Sequence, residues 1–251
     1  MNNLKNNRPL ALITGASKRI GKSIAIELHN RGVDIAIHCS HSKADAESLS
    51  NQLNNTRDRS AFVIQENLAE TNAPASIIKK TLSQGGRIDY LVNNASIFSP
   101  MPIDVSKEED IKRFLKINAT QPKKLIQLSS EEISKRNGAV VNLIDIYALR
   151  GLKNHSVYVT SKAMLLEMSK QLAVELSPNI RINSVSPGAI LWPENETELQ
   201  KNQRIEILEK TAIKRIGQAS DISKTVAFLL LDALYITGAN INVDGGRDLY
   251  I

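Results

Sequence analysis

Short apolar runs alternate with longer amphipathic stretches along the chain. Within the short runs the apolar residues are consecutive rather than alternating, which is typical of strands covered on both faces of a parallel sheet. The alternation predicts a doubly wound, Rossmann-like α/β fold, with a parallel seven-stranded sheet and helices on both faces. The predicted strands cover residues 10–14, 34–38, 61–65, 90–93, 139–143, 181–185 and 240–243. The predicted helices cover residues 18–30, 43–54, 73–84, 107–118, 121–135, 156–176, 194–211 and 220–231.

The stretch 187–202 interrupts this alternation with Pro193 and a run of polar residues. The sequence shows no linker, internal repeat or low-complexity tract. A chain of 251 residues with this pattern is expected to form a single Rossmann-fold domain over residues 1–251. The interruption predicts a mobile substrate loop around residues 189–212, at the carboxyl edge of the sheet, where ligands bind in such folds.

The composition argues against several classes of protein. No apolar stretch approaches the length of a membrane span, and the polar first residues are not a secretory signal. The formal charge is +6, but Lys and Arg are interleaved with Asp and Glu, so no nucleic-acid partner is expected. The single Cys39 cannot form an internal disulfide, and His29 and His155 lack metal-ligand spacing. We therefore expect a soluble, cytoplasmic protein with no metal and no membrane partner.

A glycine turn, Thr-Gly-Ala-Ser-Lys-Arg-Ile-Gly at residues 14–21, separates the first predicted strand from the first predicted helix. Such a turn offers N–H groups and partial positive charge to a pyrophosphate, although a turn without a ligand is the alternative. Arg19 stands where a dinucleotide-binding turn usually has a third glycine, and guanidinium binds phosphate through paired hydrogen bonds. Residues 37–42 carry histidines and serines instead of the acid that binds the ribose of NAD. Both features predict NADP.

Tyr158 and Lys162 are four residues apart on a predicted helix, so they share one face. A nearby ammonium lowers the pKa of a phenol and makes tyrosine a usable proton donor or acceptor. Taken alone, this spacing is more typical of a surface pair on an amphipathic helix.

Five groups of residues occur in one order and resemble the short-chain dehydrogenase/reductase family over nearly the whole chain. They are residues 14–21, Asn93-Asn94-Ala95, Asn118, the Tyr158/Lys162 pair and Ser186-Pro187-Gly188. The resemblance implies a nicotinamide-dependent oxidoreductase in which Tyr158 donates the proton. It further implies that Lys162 holds the nicotinamide ribose and lowers the Tyr158 pKa, and that Asn118 anchors a water linking Lys162 to solvent.

Asp145 narrows the resemblance from the broad family to one of its subgroups. The broad family usually has a serine thirteen residues before the tyrosine, and this chain has Asp145 there. An ionised aspartate is a poor donor to a ketone but a good partner for a nitrogen-rich ring. Arg19 together with Asp145 is similar to the pteridine reductases, as are residues 93–98, 189–194, 214–217 and 243–247. An N-cap or loop hydrogen bond is the alternative role for Asp145.

This narrower resemblance implies NADPH-dependent reduction of a pterin, a dihydropterin or dihydrofolate-like ring taken to its tetrahydro form. Phe98 would stack on the flat ring, with Ser96 and Trp192 also at the substrate. The alternatives are core packing for Phe98 and an interface or hydrophobic anchor for Trp192. The implied cofactor residues are Gly15, Lys18, Arg19, Ile20, Gly21, His38, Ser40, His41, Ser42, Asn67, Leu68, Asn94, Ala95, Tyr158, Lys162, Pro187 and Gly188.

Two of the implied cofactor residues differ from those usual in related reductases. His41 stands where related reductases often have an arginine, and Asn67 stands where an aspartate usually meets the adenine. The resemblance also implies a homotetramer whose interface includes the helices around residues 107–135 and 156–176. In some related enzymes an arginine near the C-terminus caps a neighbour's site, and Arg247 is the candidate here.

Two other functions stay open. One is an NADPH-dependent reductase of ketones or 3-oxoacyl thioesters within the same family, which Asp145 disfavours because the carbonyl-binding serine is missing. The other is a non-catalytic NADP-binding regulator, which the intact Tyr158, Lys162 and Asn118 disfavour.

Overall fold

A computed structural model describes residues 7–190 and 198–250. Seven strands form one sheet in these residues: β1 (Leu10–Ile13), β2 (Asp34–Cys39), β3 (Ala61–Gln65), β4 (Tyr90–Asn93), β5 (Ala139–Leu143), β6 (Arg181–Pro187) and β7 (Asn240–Val243). Their order is β3-β2-β1-β4-β5-β6-β7, and every neighbouring pair is parallel. The predicted doubly wound fold is confirmed, and no strand end differs from its predicted position by more than two residues.

Helices cover both faces of this sheet. They are α1 (Arg19–Asn30), α2 (Lys43–Thr56), α3 (Ala73–Gly85), α4 (Glu108–Leu115), α5 (Gln121–Ser134), α6 (Ser156–Glu175), α7 (Glu198–Glu209) and α8 (Ala219–Leu231). Buried residues of α1, α2 and α8 form one apolar core, and those of α3, α5 and α6 form a second core on the other face. None of the helices within the described ranges is both long and apolar enough to cross a membrane.

Alternation along β1 shows why its apolar run is continuous. Ala11 and Ile13 belong to the core on the α1 side, whereas Leu10 and Leu12 belong to the core on the α3 side. All four are at most 2% exposed. Each strand residue therefore contributes to one of two buried layers, which stabilises the sheet from both sides.

Several element boundaries differ from the predicted ones. Helix α1 begins at Arg19 because Lys18 has an extended backbone. The predicted helices 107–118 and 121–135 are one continuous rod, since a π-helical turn (Lys116–Thr120) joins α4 to α5. Strand β6 runs on to Pro187, two residues further than predicted. Residues 191–197, which begin the predicted substrate loop, lie outside the described residues.

The strand order creates a crevice. β2 and β4 lie on opposite sides of β1, so the connections that leave β1 and β4 diverge at their carboxyl ends. Ligands of doubly wound folds bind at such a reversal. The glycine turn follows β1, and Asp145 and Gly188 follow β5 and β6 at the same edge.

Candidate active site

A cavity of about 910 Å³ opens at this edge of the sheet. Most of the predicted site residues line it, from the glycine turn at one end to the Asp145–Tyr158 pair at the other. Gly21 and Asn118 were also predicted here, but they lie behind the cavity wall. Trp192 falls outside the described residues. The sequence therefore located one continuous cleft, although several of its residues act differently from the way predicted.

The glycine turn is shaped by close backbone approach. Gly15 has a φ of +62°, and a Cβ on Gly21 would lie 2.2 Å from the carbonyl oxygen of Gly15. The Asn94 side-chain amide donates to the carbonyl oxygens of Thr14 and Gly15, both at 2.9 Å. Asn94 therefore holds the turn from the end of the neighbouring strand and leaves the N-terminus of α1 facing the cavity, a geometry that suits a pyrophosphate.

Arg19 has a φ of +51°, in the left-handed region that glycine adopts freely. For a residue with a Cβ this conformation costs roughly 1–2 kcal/mol. The Arg19 side chain lines the cavity and has no ion pair or hydrogen bond with the described residues. Arg19 therefore brings an unpaired guanidinium to the lining of the cleft from a strained backbone position.

Ser40 follows β2 and lines the same cavity as Arg19. Its hydroxyl oxygen is buried and has no hydrogen-bond partner among the described residues. A buried hydroxyl without a partner is costly unless a ligand satisfies it. Ser40, Ser42, His41 and Arg19 thus fit the 2′-phosphate of NADP, and the lining carries no acid at the end of β2.

Two other predicted cofactor residues are partly engaged within the protein. Lys18 forms an ion pair with Asp45 on α2, with 2.9 Å between Nζ and Oδ2. The side-chain oxygen of Asn67 accepts a hydrogen bond from the Ala69 backbone N–H at 3.0 Å. Lys18 is therefore partly neutralised, and one acceptor site of the Asn67 amide is already used.

His38 lines the cleft, but both of its ring nitrogens are engaged within the protein, and its predicted contact with the cofactor stays a prediction. The Gly15 N–H donates to His38 Nδ1 at 3.3 Å, so this nitrogen is an acceptor. Nε2 faces the Glu66 carbonyl oxygen at 3.1 Å, so it carries the proton and donates. Burial lowers the pKa of the imidazole from its ordinary 6.5 to about 4. His38 is therefore a neutral support behind the glycine turn.

A short hydrogen bond joins the two groups placed to handle a proton. Tyr158 Oη donates to Asp145 Oδ2 at 2.7 Å, and the Tyr147 N–H donates to Asp145 Oδ1 at 2.9 Å. Burial and the Asp145 charge raise the pKa of Tyr158 above its usual range, and burial also raises the pKa of Asp145. The expectation that the Tyr158 pKa is lowered is wrong for this arrangement, in which the tyrosine retains its proton.

Lys162 lies close by but bonds elsewhere. Its Nζ donates to the carbonyl oxygen of Leu143 at 2.8 Å. Burial lowers the pKa of Lys162 to about 8, although the negative charge of Asp145 acts in the opposite direction. The lysine charge opposes the Asp145 charge near Tyr158, and its predicted contact with a ribose stays a prediction.

Asn118 fastens two sides of the site together. Its oxygen accepts from the Ile97 N–H at 2.9 Å, and its amide nitrogen donates to the Ile97 carbonyl and to Ser161 Oγ, both at 3.0 Å. The π-helical turn thereby ties the loop after β4 to helix α6. Its predicted role in holding a water stays a prediction.

Phe98 presents an open aromatic face, since 59% of the residue is exposed. Its ring stacks on His155 with 4.8 Å between centroids and meets Tyr158 edge-on at 4.7 Å. The core-packing alternative is therefore wrong. Sequence reasoning considered His155 only as a metal ligand and missed this stack, although its position three residues before Tyr158 at the start of α6 was a usable signal.

Asp145 caps the 3-10 turn Ile146–Leu149 through the Tyr147 N–H, which is its predicted alternative role, and it also accepts a hydrogen bond from the Tyr158 hydroxyl. Its predicted contact with a substrate ring stays a prediction. Arg247, the candidate for a neighbour's site, is instead buried and bonded within its own chain, to the Ile207 carbonyl and to Tyr147 Oη. No three His, Cys, Asp or Glu side chains group as a metal site within the described part of the chain.

Comparison with known proteins defines the class. The family model described as enoyl-(acyl carrier protein) reductase matches residues 15–248. The 3-oxoacyl-(acyl-carrier-protein) reductase FabG of Staphylococcus epidermidis is 36% identical over 239 residues, which covers 94% of this chain and 97% of the relative. The L-rhamnose 1-dehydrogenase (NAD(P)(+)) of a Sphingomonas species is 31% identical and covers 94% of each chain. A 3-oxoacyl-(acyl-carrier-protein) reductase of Synechocystis is 31% identical and covers 96% of this chain and 97% of the relative.

The chain therefore belongs to the short-chain dehydrogenase/reductase family and is an oxidoreductase, as the sequence predicted. The relatives' names match the alternative substrate, a 3-oxoacyl thioester, better than they match a pterin.

The support role of His38 predicts a specific pH dependence of stability. The folded pKa lies near 4 and the ordinary value is 6.5, so the unfolded chain binds the extra proton between these values. The free energy of unfolding therefore falls as the pH drops through this window, by up to about 1.4 kcal/mol per pH unit. In His38→Asn the amide oxygen takes over the acceptor position without titrating, so urea unfolding at several pH values should give a shallower slope. The exposed substitution His41→Asn is the control, and equal slopes for His38→Asn and the parent would contradict this role.

Proposed function

We propose that this protein is an NADPH-dependent pteridine reductase, which takes a dihydropterin or dihydrofolate-like ring to its tetrahydro form. The observation that carries the proposal is the Asp145 carboxylate, bonded to the Tyr158 hydroxyl, beside the exposed face of Phe98.

The charge of Asp145 selects the kind of substrate. Reduction of a ketone builds negative charge on oxygen, and an ionised carboxylate beside that oxygen opposes it. A pterin instead presents N–H groups, which a carboxylate accepts through charge-assisted hydrogen bonds. Asp145 therefore supports a nitrogen-rich ring and disfavours a simple carbonyl.

Phe98 supports a flat substrate. Its exposed ring is held by its stack on His155 and by its edge contact with Tyr158. Aromatic rings pair best in offset or edge-on arrangements, and a fixed ring loses little freedom when a second ring stacks on it. An acyl chain gains no such stacking from Phe98.

The proton chemistry follows from the position of the Tyr158 hydroxyl beside Asp145. When NADPH is bound, it supplies the hydride to a carbon of a ring C=N bond. The nitrogen of that bond then needs a proton, and Tyr158 Oη carries one at neutral pH. Asp145 holds the hydroxyl in place, and the buried Lys162 supplies a positive charge as the tyrosine loses its proton.

The residues that line the cleft can be assigned to parts of the cofactor. The glycine turn and the N-terminus of α1 would hold the pyrophosphate. Arg19 and the partnerless hydroxyl of Ser40 would hold the 2′-phosphate, with His41 and Ser42 beside them. This set supports NADPH over NADH.

The second candidate function is reduction of a 3-oxoacyl thioester. The extent and identity of the match to the Staphylococcus epidermidis FabG favour it. The site offers no hydroxyl at Asp145 to bond the ketone, and this is the physical reason that we place the pterin first.

A substrate comparison separates these candidates. NADPH oxidation should be seen with dihydrobiopterin or dihydromonapterin, and it should be at least about tenfold slower with an acetoacetyl thioester. In Asp145→Ser, which restores the hydroxyl usual in the broad family, pterin turnover should fall and thioester turnover should rise. Asp145→Asn keeps the size of the side chain and removes its charge, so it shows whether the charge is responsible.

Each outcome of the comparison is decisive. Turnover of the thioester alone would overturn the pterin proposal in favour of the second candidate. Tight binding of NADPH with no turnover of either substrate would indicate a non-catalytic NADP-binding regulator.

Loss of the Tyr158 hydroxyl tests the proton donor. Tyr158→Phe keeps the ring that contacts Phe98 but removes the proton, so kcat should fall by about a hundredfold or more. The Kd for NADPH, measured by fluorescence titration, should change little. Near-parental turnover would show that another group protonates the substrate.

Arg19→Gly tests cofactor choice. Glycine fits the φ of +51° without strain, so the fold should be kept while the guanidinium is lost. Loss of a charge-assisted hydrogen bond, about 1.5–3 kcal/mol, should weaken NADPH binding by roughly ten- to a hundredfold and leave NADH binding nearly unchanged. Lys18→Ala, next to Arg19 but paired with Asp45, should have a smaller effect. Equal weakening of both cofactors would make Arg19 structural.

A further inference from the structure

The segment after β7 forms a tight polar turn. Asp244 organises it, because Oδ1 accepts from the Gly246 N–H at 3.0 Å and Oδ2 accepts from the Asp248 N–H at 2.7 Å. Gly245 and Gly246 have φ values of +66° and +76°, which permit the reversal. The turn presents two adjacent side chains of opposite charge, Arg247 and Asp248, to the rest of the site.

Arg247 joins two separate elements. Its guanidinium donates to Tyr147 Oη, in the 3-10 turn after β5, and to the Ile207 carbonyl oxygen, in α7, both at 3.1 Å. Only 8% of Arg247 is exposed. A buried charge with two fixed partners holds its geometry firmly, since each lost bond would leave a desolvated polar group.

Asp248 holds the other end of the same 3-10 turn. Its Oδ1 accepts from Arg150 Nε at 2.6 Å, and Oδ2 accepts from the Asn242 side chain at 3.2 Å. Arg150 follows directly on Ile146–Leu149, and Tyr147 lies near its start. We call the pair Arg247 and Asp248 the β7 clamp, because it grips this turn at both ends.

The clamped turn is the one that Asp145 begins. The Tyr147 N–H bonds Asp145 Oδ1, while the opposite oxygen receives the Tyr158 hydroxyl. Tyr147 therefore contacts Arg247 through its side chain and Asp145 through its backbone. Four hydrogen bonds, linked through the residues Arg247, Tyr147 and Asp145, therefore connect α7 to the proton donor Tyr158.

A cavity beside Asp145 leaves its side chain without close packing on one side, so hydrogen bonds must hold the carboxylate. A second cavity, of about 270 Å³, borders Asp145 and is lined by Arg150 and Asp248 among others. Close packing normally fixes a side chain, and an open space provides none. Polar contacts of the turn therefore hold the carboxylate in place. Neither Arg247 nor Asp248 lines the main cleft, so they act through Asp145.

We propose that Arg247 and Asp248 are positioning residues that fix Asp145 at Tyr158 and couple α7, which follows the predicted substrate loop, to proton transfer. The proposal rests on the proposed roles of Asp145 and Tyr158 and holds for either candidate substrate. It replaces the expectation that Arg247 serves a neighbouring subunit.

The kinetic test uses the full chain and removes each side of the Arg247–Tyr147 hydrogen bond separately. Tyr147→Phe removes only the hydroxyl, and Arg247→Met removes the charge at similar length. Each should lower kcat by roughly ten- to a hundredfold, as expected for misplacement of a reacting group, with less than a twofold change in the NADPH Kd. The double variant Tyr147→Phe/Arg247→Met should lose no more kcat than Arg247→Met alone, because both substitutions break the same hydrogen bond. Arg247→Lys should recover part of the loss.

A matched control is the exposed ion pair between Arg31 and Asp232, 2.8 Å apart and remote from the clamp. Arg31→Met removes the same functional group and should leave kcat unchanged. Additive losses in the double variant, or parallel losses of NADPH affinity and thermal stability in Arg247→Met, would overturn the proposal in favour of a general structural role.

Hydrogen exchange tests the clamp without any substrate. In Arg247→Met, backbone amides of residues 146–150 should exchange faster than in the parent, while those of the glycine turn should not change. Unchanged exchange at 146–150 would overturn the clamp even if turnover falls. If the parent reduces neither a pterin nor a thioester, the proposed function fails while faster exchange still supports the clamp.

Discussion

The hydrogen bond between Tyr158 and Asp145 is the interaction on which the chemistry of this site depends. It places a proton between a buried phenol and a partly buried carboxylate, 2.7 Å apart. Burial of both groups favours their protonated forms, and the tyrosine, with much the higher ordinary pKa, retains the proton. The neighbouring groups adjust this balance: Lys162 opposes the carboxylate charge, Tyr147 fixes one of its oxygens, and Phe98 covers the edge of the tyrosine ring.

The fold brings these groups together through the carboxyl ends of parallel strands. Asp145 follows β5 and the glycine turn follows β1, yet both face one cleft because β1 and β5 lie on either side of β4. Strand order fixes which groups meet, and local hydrogen bonds then fix how they point. Asn94 and Asn118 illustrate the second step, since their amides fasten loops and contact no catalytic atom.

Much of this was predictable from the sequence because its signals are local. Continuous apolar runs located the strands, and the spacing of Tyr158 and Lys162 placed both on one helix face. The sequence did not predict contacts between distant segments. Nothing near His38 in the sequence shows that Gly15 and Glu66 occupy its two ring nitrogens. The Tyr158 pKa was expected to fall because Lys162 is four residues away, whereas Asp145, thirteen residues away, is the bonded partner. The hydrogen bond between Arg247 and Tyr147, a hundred residues earlier, was likewise not predictable from neighbouring residues.

The relatives' names and the site geometry favour different substrates, and the two kinds of observation carry different information. Identity of 36% over 239 residues averages all positions, most of which build the sheet and its helices. Substrate choice depends on the few side chains that touch the reacting ring, and a fold of this kind supports many chemistries. A neutral hydroxyl at the position of Asp145 can bond a ketone in both of its charge states. A carboxylate there opposes the negative charge that a ketone develops and stabilises a ring that offers N–H groups. A residue proposed to contact the reacting atoms therefore carries more information about the substrate than an average over the chain, and this is why Asp145 decides the order in which the two substrates are proposed.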